Sequence, residues 1–348
     1  MQSHKPMLAT PSTAADTHDS TKVVNAPPRG EVTVVIAAWR AAGTIGRAVA
    51  SALAQPEAAE VVVVDDASGD DGATLAAAKA ADDGTGRLKI IALDRNGGPS
   101  RARNAAIDAS YAPWIAILDS DDFLEPGRLA ALLAIAHGYD LIADDLMQTP
   151  EGKTAAEGQP LWFREDRTPV DIDFSFFVES NIAREARYRR ELGFLKPLMR
   201  RAFLDRNYLT YNETMRLGED YDLYARALEH GARMRLVPWA GYVSVMRSNS
   251  LSAIHSRSDL VALEAADNRL LTSDKLKPAE KFLVQDHRFE TRSRIVWIDF
   301  MAALKSGLKS GNVFRAGSIM LRDPRQAPHV LRGLWKILVR RVTGVKKS

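Results

Sequence analysis

The stretch IAILDSDDFLEP, residues 115–126, decides how the chain is read. Its apolar start reads as a buried strand that stops abruptly in Asp119-Ser120-Asp121-Asp122. Three carboxylates within four residues repel one another, so the end of such a strand requires positive charge nearby. If the strand persisted, Asp119 and Asp121 would share a face. Two carboxylates on one face suit a hard divalent cation such as Mg²⁺ or Mn²⁺, with substrate phosphates completing its shell. The plain alternative is a solvated acidic turn that caps the next helix.

Working outward, EVTVVIAAW (residues 31–39), AEVVVVDDASGDD (59–71) and RLKIIALD (87–94) read as further buried strands. Between and after them, GTIGRAVASALAQ, GATLAAAKAADD, PSRARNAAIDASY and EPGRLAALLAIAHG carry helical spacing. Strand and helix thus alternate four times over about 110 residues, with continuous rather than alternating apolar strands. That pattern predicts an α/β fold, a mostly parallel sheet with helices on both faces. Ligands of such sheets bind beyond the carboxyl ends of the strands. Those ends carry Trp39, Asp65-Asp66, Asp94-Arg95-Asn96 and the acidic turn.

The remaining chain bounds the possibilities. Its 348 residues suffice for one large or two ordinary domains, and 46% hydrophobic with 26% charged residues is an ordinary globular composition. A formal net charge of +3 carries no nucleic-acid signal. The absence of cysteine excludes disulfides, thiolate catalysis and Cys-based zinc sites, and fits a reducing compartment. No apolar run approaches the roughly 20 residues of a bilayer helix. Residues 1–30, rich in Ser, Thr, Ala and Pro, read as a disordered tail rather than a signal peptide. The expected organisation is that tail, then 31–145 and 146–257 as two halves of the binding region, then a helical region over 258–348.

Three further clusters could carry chemistry. Asp66 closes the second strand and could accept hydrogen bonds from a base or ribose, or simply begin a turn. In RNGGPSRARNAA, Gly97-Gly98 free the backbone and Pro99 starts a helix with Arg101 and Arg103 in its first turn, an arrangement suited to phosphate. In LGEDYDLYAR, Glu219 and Asp220 stand at a helix start, where Asp220 is either an N-cap or a general base folded back onto the cleft. No G-x-G-x-x-G, Walker A, G-x-S-x-G or H-E-x-x-H string is present.

The order of these motifs resembles the inverting nucleotide-diphospho-sugar glycosyltransferases of family 2, with the GT-A fold. The likeness runs from about Val32 to Ser252 through VVIAAWRAAGTIGRAVASALAQ, VVVVDDASGDD, NGGPSRARNAA, WIAILDSDDFLEPGRL and GEDYDLYARAL. GFLKPLMRRAFLD and YNETMRLGEDYDLYARAL are similar, more narrowly, to bacterial exopolysaccharide enzymes of the succinoglycan glucosyltransferase type. The resemblance implies a UDP-sugar donor, glucose by the narrower likeness, and an acceptor oligosaccharide carried on a polyprenyl diphosphate. Nucleotide-sugar contacts would fall to Ala37, Trp39, Asp66, Arg101, Arg103, Asp119 and Ser120. Trp39 stands where the family has a Pro-x-Tyr-Asn-like turn, all three of whose residues are absent here. Asp119 and Asp121 match the family's D-x-D and would hold Mg²⁺ or Mn²⁺, and Asp220 matches its catalytic base. Glu219, Arg247, Ser250, Ser252 and His255 would lie near the diphosphate or acceptor, with Asn249 where the family usually has a His.

Two rival readings remain at this stage. LDSDDF also resembles the D-x-D-x-T/V nucleophile of haloacid-dehalogenase phosphatases, although Phe123 stands in its fifth place and the strand is the fourth. A non-catalytic nucleotide-sugar or polysaccharide binder is the other. Near the end, Leu331, Leu334, Trp335, Leu338 and Val342 follow helical spacing among six basic residues and no acid over 329–348. That suits either a terminal helix packed on the core or a helix on an anionic bilayer surface. A cytoplasmic protein peripheral to the inner membrane is the corresponding expectation.

Overall fold

The computed structural model describes residues 30–163, 167–182, 191–247, 255–310 and 314–343. The tail expected over residues 1–30 therefore lies almost wholly outside the described residues. The predicted alternation appears as β1 (Val32–Ala38), α1 (Ile45–Leu53), β2 (Ala58–Asp65), α2 (Ala73–Ala80), β3 (Leu88–Ala92), α3 (Pro99–Asp108) and β4 (Trp114–Ile117). Next come β5 (Phe123–Leu124), α4 (Arg128–Leu133), β6 (Leu141–Pro150), β7 (Gln159–Pro160), β8 (Val170–Ile172), α5 (Phe174–Ser180), β9 (Leu198–Arg200) and α6 (Arg201–Arg206). The chain continues through α7 (Glu219–Glu229), β10 (Met234–Met246), α8 (Arg257–Thr272), α9 (Pro278–Ser310), α10 (Phe314–Arg322) and α11 (Ala327–Thr343).

The strands form one sheet in the order β3-β2-β1-β4-β9-β6-β10-β5, with β7 beside β6 and β8 beside β10. β1 to β4 are mutually parallel, as their unbroken apolar runs require. Val61 to Val64 of β2 are completely buried. The order turns back between β1 and β4, which opens a crevice at their carboxyl ends. β9 then runs antiparallel to both β4 and β6. One apolar core joins this sheet to its helices and reaches Val284 in α9. A second, smaller core of Val296, Phe300, Ala303, Ala316 and Val330 holds α9, α10 and α11 together. Among the described residues no helix is long and apolar enough to cross a membrane.

Three details differ from the sequence-based expectation. β4 ends at Ile117, so Asp119 and Asp121 do not share a strand face; instead the Asp122 N–H donates to the Asp119 carbonyl (3.1 Å) and closes a turn. α4 is only six residues long: it starts after Gly127 at φ +79°, and beyond Leu133 the chain passes into turns, the Ile135 N–H donating to the Leu132 carbonyl (3.3 Å) and the Ala136 N–H to the Leu133 carbonyl (3.1 Å). The long pairing of β6 with β10 has no counterpart in the sequence reading, and residue 145 lies inside β6.

Arg128 explains how these parts are fixed. It is completely buried and grips Asp144 of β6, through Nε at 3.1 Å and Nη2 at 2.7 Å. Its Nη2 also donates to the Lys196 carbonyl (2.5 Å). Asp144 in turn accepts the N–H groups of Gly241 (2.7 Å) and Tyr242 (3.1 Å), where the β10 register shifts. One buried pair therefore ties α4, β6, β10 and the approach to β9. Arg128→Ala leaves Asp144 charged and unpaired in the interior. A loss of about 3–5 kcal/mol is expected, read as a lowered midpoint in urea unfolding.

Candidate active site

The crevice has two lips. On the first, Ala37 and Ala38 end β1, and the Asp66 N–H donates to the Ala38 carbonyl (2.8 Å). Trp39 follows with 43% of its surface exposed and the Arg40 guanidinium 4.9 Å from its ring centre. Asp66 is buried, and its two carboxylate oxygens accept the N–H groups of Gly97 and Gly98, each at 2.7 Å. Gly98 has φ +86°, which a side chain would strain. Asp66 thus straps the loop before α3 to the end of β2, and each of its oxygens keeps a further lone pair.

The second lip is the acidic turn. Asp119 Oδ1 accepts from Arg103 Nη2 (2.8 Å), and its Oδ2 lies 3.2 Å from Lys196 Nζ. The positive charge that the turn requires is supplied by these two buried side chains. Against the cost of burial, Lys196 and Arg103 hold the Asp119 carboxyl well below the usual range. Asp122 is buried, accepting from Tyr242 Oη (2.9 Å) and the Val245 N–H (2.8 Å). Burial, then the charges of Asp119 and Asp121, push its carboxyl up to about 8. The Tyr242 hydroxyl also accepts the Asp119 N–H (3.0 Å). Ser120 stands partly exposed between them.

α7 brings in the third element. Its N-cap is Gly218 at φ +78°, so Asp220 is not the cap; Glu219 and Asp220 fill the first turn instead. A Cβ on Gly218 would also stand 3.1 Å from Leu263 Cδ1. Glu219 Oε1 accepts from Arg103 Nη1 (2.6 Å). Asp220 Oδ2 accepts from Lys196 Nζ (2.6 Å) and its Oδ1 from Tyr211 Oη (3.0 Å), with Arg103 Nη1 at 3.5 Å. Despite their burial, Lys196 and Arg103 are both raised above their ordinary ranges by these carboxylates.

The structure therefore brings Arg103, Asp119, Glu219 and Asp220 into one network, joined by Lys196. Arg103 lies in the second turn of α3 rather than the first. Arg101 points elsewhere, to Asp94 (2.9 Å) and the Arg95 carbonyl (3.0 Å). Arg247 reaches the turn from the end of β10, with Nη1 3.9 Å from Asp121 Oδ2. Ser250 and Ser252 lie outside the described residues, and His255 stands just before α8.

Among the described residues no group of three or more His, Asp or Glu could hold a metal alone. The donor set still fits Mg²⁺ or Mn²⁺. Burial and the charge of Asp119 raise the Asp121 carboxyl, with Arg247 opposing, so the turn retains unbalanced negative charge. A divalent ion needs only one or two carboxylates when phosphates supply the rest.

Sequence reasoning missed Lys196, Tyr211 and Tyr242. Lys196 stood in a phrase already singled out, GFLKPLMRRAFLD, where a lysine amid apolar residues was the available signal.

Residues 33–191 match the sequence family described as Glycosyl transferase family 2. The chain is 48% identical to succinoglycan biosynthesis protein ExoU of Rhizobium meliloti (strain 1021) over 308 residues, 87% of this chain and 86% of that protein. It is 41% identical to succinoglycan biosynthesis protein ExoO of the same strain over 248 residues, 69% of this chain and 68% of that one. The fold is similar to S. aureus TarS 1–349 in complex with UDP, with TM-score 0.54 and 18% identity over 80% of this chain and 74% of that one.

Two outcomes test the network. Lys196→Met leaves Asp119 and Asp220 to Arg103 alone. A loss of about 3–5 kcal/mol is expected, and it should shrink from pH 8 to pH 5 as a carboxylate takes up a proton. Asp122→Asn tests the raised carboxyl. The native group binds its proton up to about pH 8 while the unfolded one releases it near pH 4, so it erodes native stability as pH rises between them. The variant should gain on the parent across that window, by up to about 1.4 kcal/mol per pH unit, in urea unfolding at pH 5, 6.5 and 8.

Proposed function

The chain belongs to glycosyl transferase family 2 and is a glycosyltransferase, and on that premise we propose a metal-dependent, inverting transfer of one sugar from a UDP-sugar to an oligosaccharide hydroxyl. The product is an exopolysaccharide of the succinoglycan type, a reading supported by the likeness to the two Rhizobium proteins, and the sugar is glucose by the narrower sequence resemblance alone. The acceptor is carried on a polyprenyl diphosphate and is reached from the cytoplasmic face of the inner membrane. Neither the phosphatase nor the non-catalytic reading gains support from the family match.

The observation that carries this reading is the convergence of Asp119, Arg103, Lys196 and Asp220 at the switch point of the sheet. Ala37, Trp39 and Asp66 form the lip that receives the base and ribose, with the exposed Trp39 ring available for stacking. Asp119, Ser120 and Asp121 face the diphosphate, and Asp119 with Asp121 would hold Mg²⁺ or Mn²⁺. When bound, that ion would offset charge on the departing diphosphate. Arg103 and Arg247 are the neighbouring side chains that add to the same effect, while Arg101 orders the loop beside them. Glu219 and His255 complete the diphosphate and acceptor side.

Asp220 acts as general base. The acceptor oxygen bonds to the anomeric carbon as the bond to UDP breaks on the opposite face, and the hydroxyl proton passes to Asp220. Lys196 and Tyr211 hold that carboxylate in place through one lone pair of each oxygen, leaving others for the acceptor. A single displacement turns an α-linked donor into a β-linked product.

Calorimetry of UDP with and without Mn²⁺ tests the donor site: binding should require the metal and fail in Asp121→Asn. No binding to the parent under any condition would remove the nucleotide-sugar reading. Asp220→Asn should bind UDP as the parent does and lose about 10²–10⁴-fold in transfer rate, measured by UDP release with an acceptor present.

A further inference from the structure

The last seventh of the chain, residues 301–348, is electrically unlike the rest. Residues 301–348 hold 11 of the 47 Lys and Arg residues but only one of the 44 Asp and Glu residues, Asp323. The segment is therefore +10 (11 minus 1), and the remaining 300 residues are −7 (36 minus 43). That single acid is engaged, since Asp323 lies 3.6 Å from Arg292 Nε.

The same segment exposes large apolar side chains in register. Leu331, Trp335 and Val339 follow i, i+4, i+8 along α11 and are 56%, 64% and 38% exposed. Phe314 and Leu321, seven apart on α10, are more than four-fifths exposed, and Leu308 near the end of α9 is also exposed. The opposite faces of these helices already form the small core. The outward stripes are thus additional to what holds the bundle together.

Ion pairs and hydrogen bonds fix where the bundle sits. Arg257 pairs with Asp299, Glu264 with Arg292 and Asp267 with His287, so α8 and α9 run antiparallel. α8 runs alongside α7, with Leu263 against Gly218 and Arg269 Nη2 on Asp222 (2.6 Å), so the start of α8 lies beyond the Asp220 end of α7 and α9 returns toward that crevice edge. From Asp299 to Ser310 it extends about 16 Å further in that direction. α10 runs back along it to Asp323 and Gln326, which meet Arg292 and Ser293, and α11 rises again past Trp297 at Gly333. Lys305, Lys309, Arg315, Arg340 and Arg341 therefore lie toward one end of the bundle, the end directed past the crevice.

We propose that the exposed apolar stripes of α10 and α11, with the basic end of the bundle, seat the protein on an anionic lipid surface with the crevice edge turned toward it. Apolar side chains flanked by Lys and Arg suit the headgroup boundary, where the rings and leucines enter and the cations meet lipid phosphates. A second copy of the chain fits worse, because a two-fold contact would set this basic end against itself. The expected seat of residues 329–348 is thereby widened to a surface built from three helices. It does not depend on the identity of the transferred sugar.

Flotation of the full chain with vesicles provides the test. The parent should float with phosphatidylglycerol–phosphatidylcholine vesicles and not with phosphatidylcholine alone, and partition should fall as salt rises. The double variant Leu331→Ser/Trp335→Ser should bind anionic vesicles at least about tenfold more weakly. Lys305→Gln/Lys309→Gln, outside the small core, should lose about fivefold per charge. Circular dichroism and metal-dependent UDP binding equal to the parent's would show both variants folded and the donor site intact. No flotation of the parent, or equal flotation of parent and both variants, overturns the proposal. So does a dimer in sedimentation that becomes a monomer on Leu331→Ser/Trp335→Ser, since the face would then join two copies.

Discussion

One buried ammonium organises this molecule. Lys196 stands between Asp119, at the end of β4, and Asp220, in the first turn of α7. It offsets charge on both, and removing one partner of such a pair costs several kcal/mol because the other is left uncompensated. Arg103 makes the parallel contact from α3 to Asp119 and Glu219. Two cations thus draw together four chain segments: α3, the turn after β4, the stretch before β9 and the start of α7. The crevice lies where the strand order reverses, and that is where these charges meet.

The surroundings of the acidic groups differ in burial and in partners. Asp144 is fully engaged by Arg128 and by the Gly241 and Tyr242 N–H groups. Asp122 is buried against Tyr242 and the Val245 N–H. Asp121, by contrast, is only partly buried, and the cation that faces it, Arg247, is 3.9 Å away. Adjacent carboxylates of one turn therefore differ in burial and in partners. The string D-S-D-D carries no trace of that division.

Much of the fold was legible because its physics is local. Continuous apolar strands, Gly-Gly-Pro before α3 and helical spacing in α7 each announce themselves within a dozen residues. Asp119 and Asp220 were legible as a pair through the order of motifs. The rest depends on long-range contact. Lys196 is one lysine in a mixed apolar and basic phrase, and only the fold shows that it is buried. Arg128 reads as an ordinary helix-start arginine until Asp144 arrives from β6. β9 has three residues and carries no periodicity of its own. Asp119 and Asp121 would share a pleat only if the strand persisted, and the turn closed by the Asp122 N–H, which ends that possibility, is a hydrogen-bond event that apolar patterning does not register.

The two-residue strand β5 has a consequence beyond pairing. Phe123 and Leu124 are fastened to Val243 and Tyr242, directly after the acidic turn, while Leu118 just before it is fastened to Val35 of β1. The turn is therefore a short closed loop anchored at both ends. Its conformational entropy is surrendered when the chain folds, so a ligand bound there would not have to order it. Such preorganisation favours a site that keeps the same shape before and after each turnover.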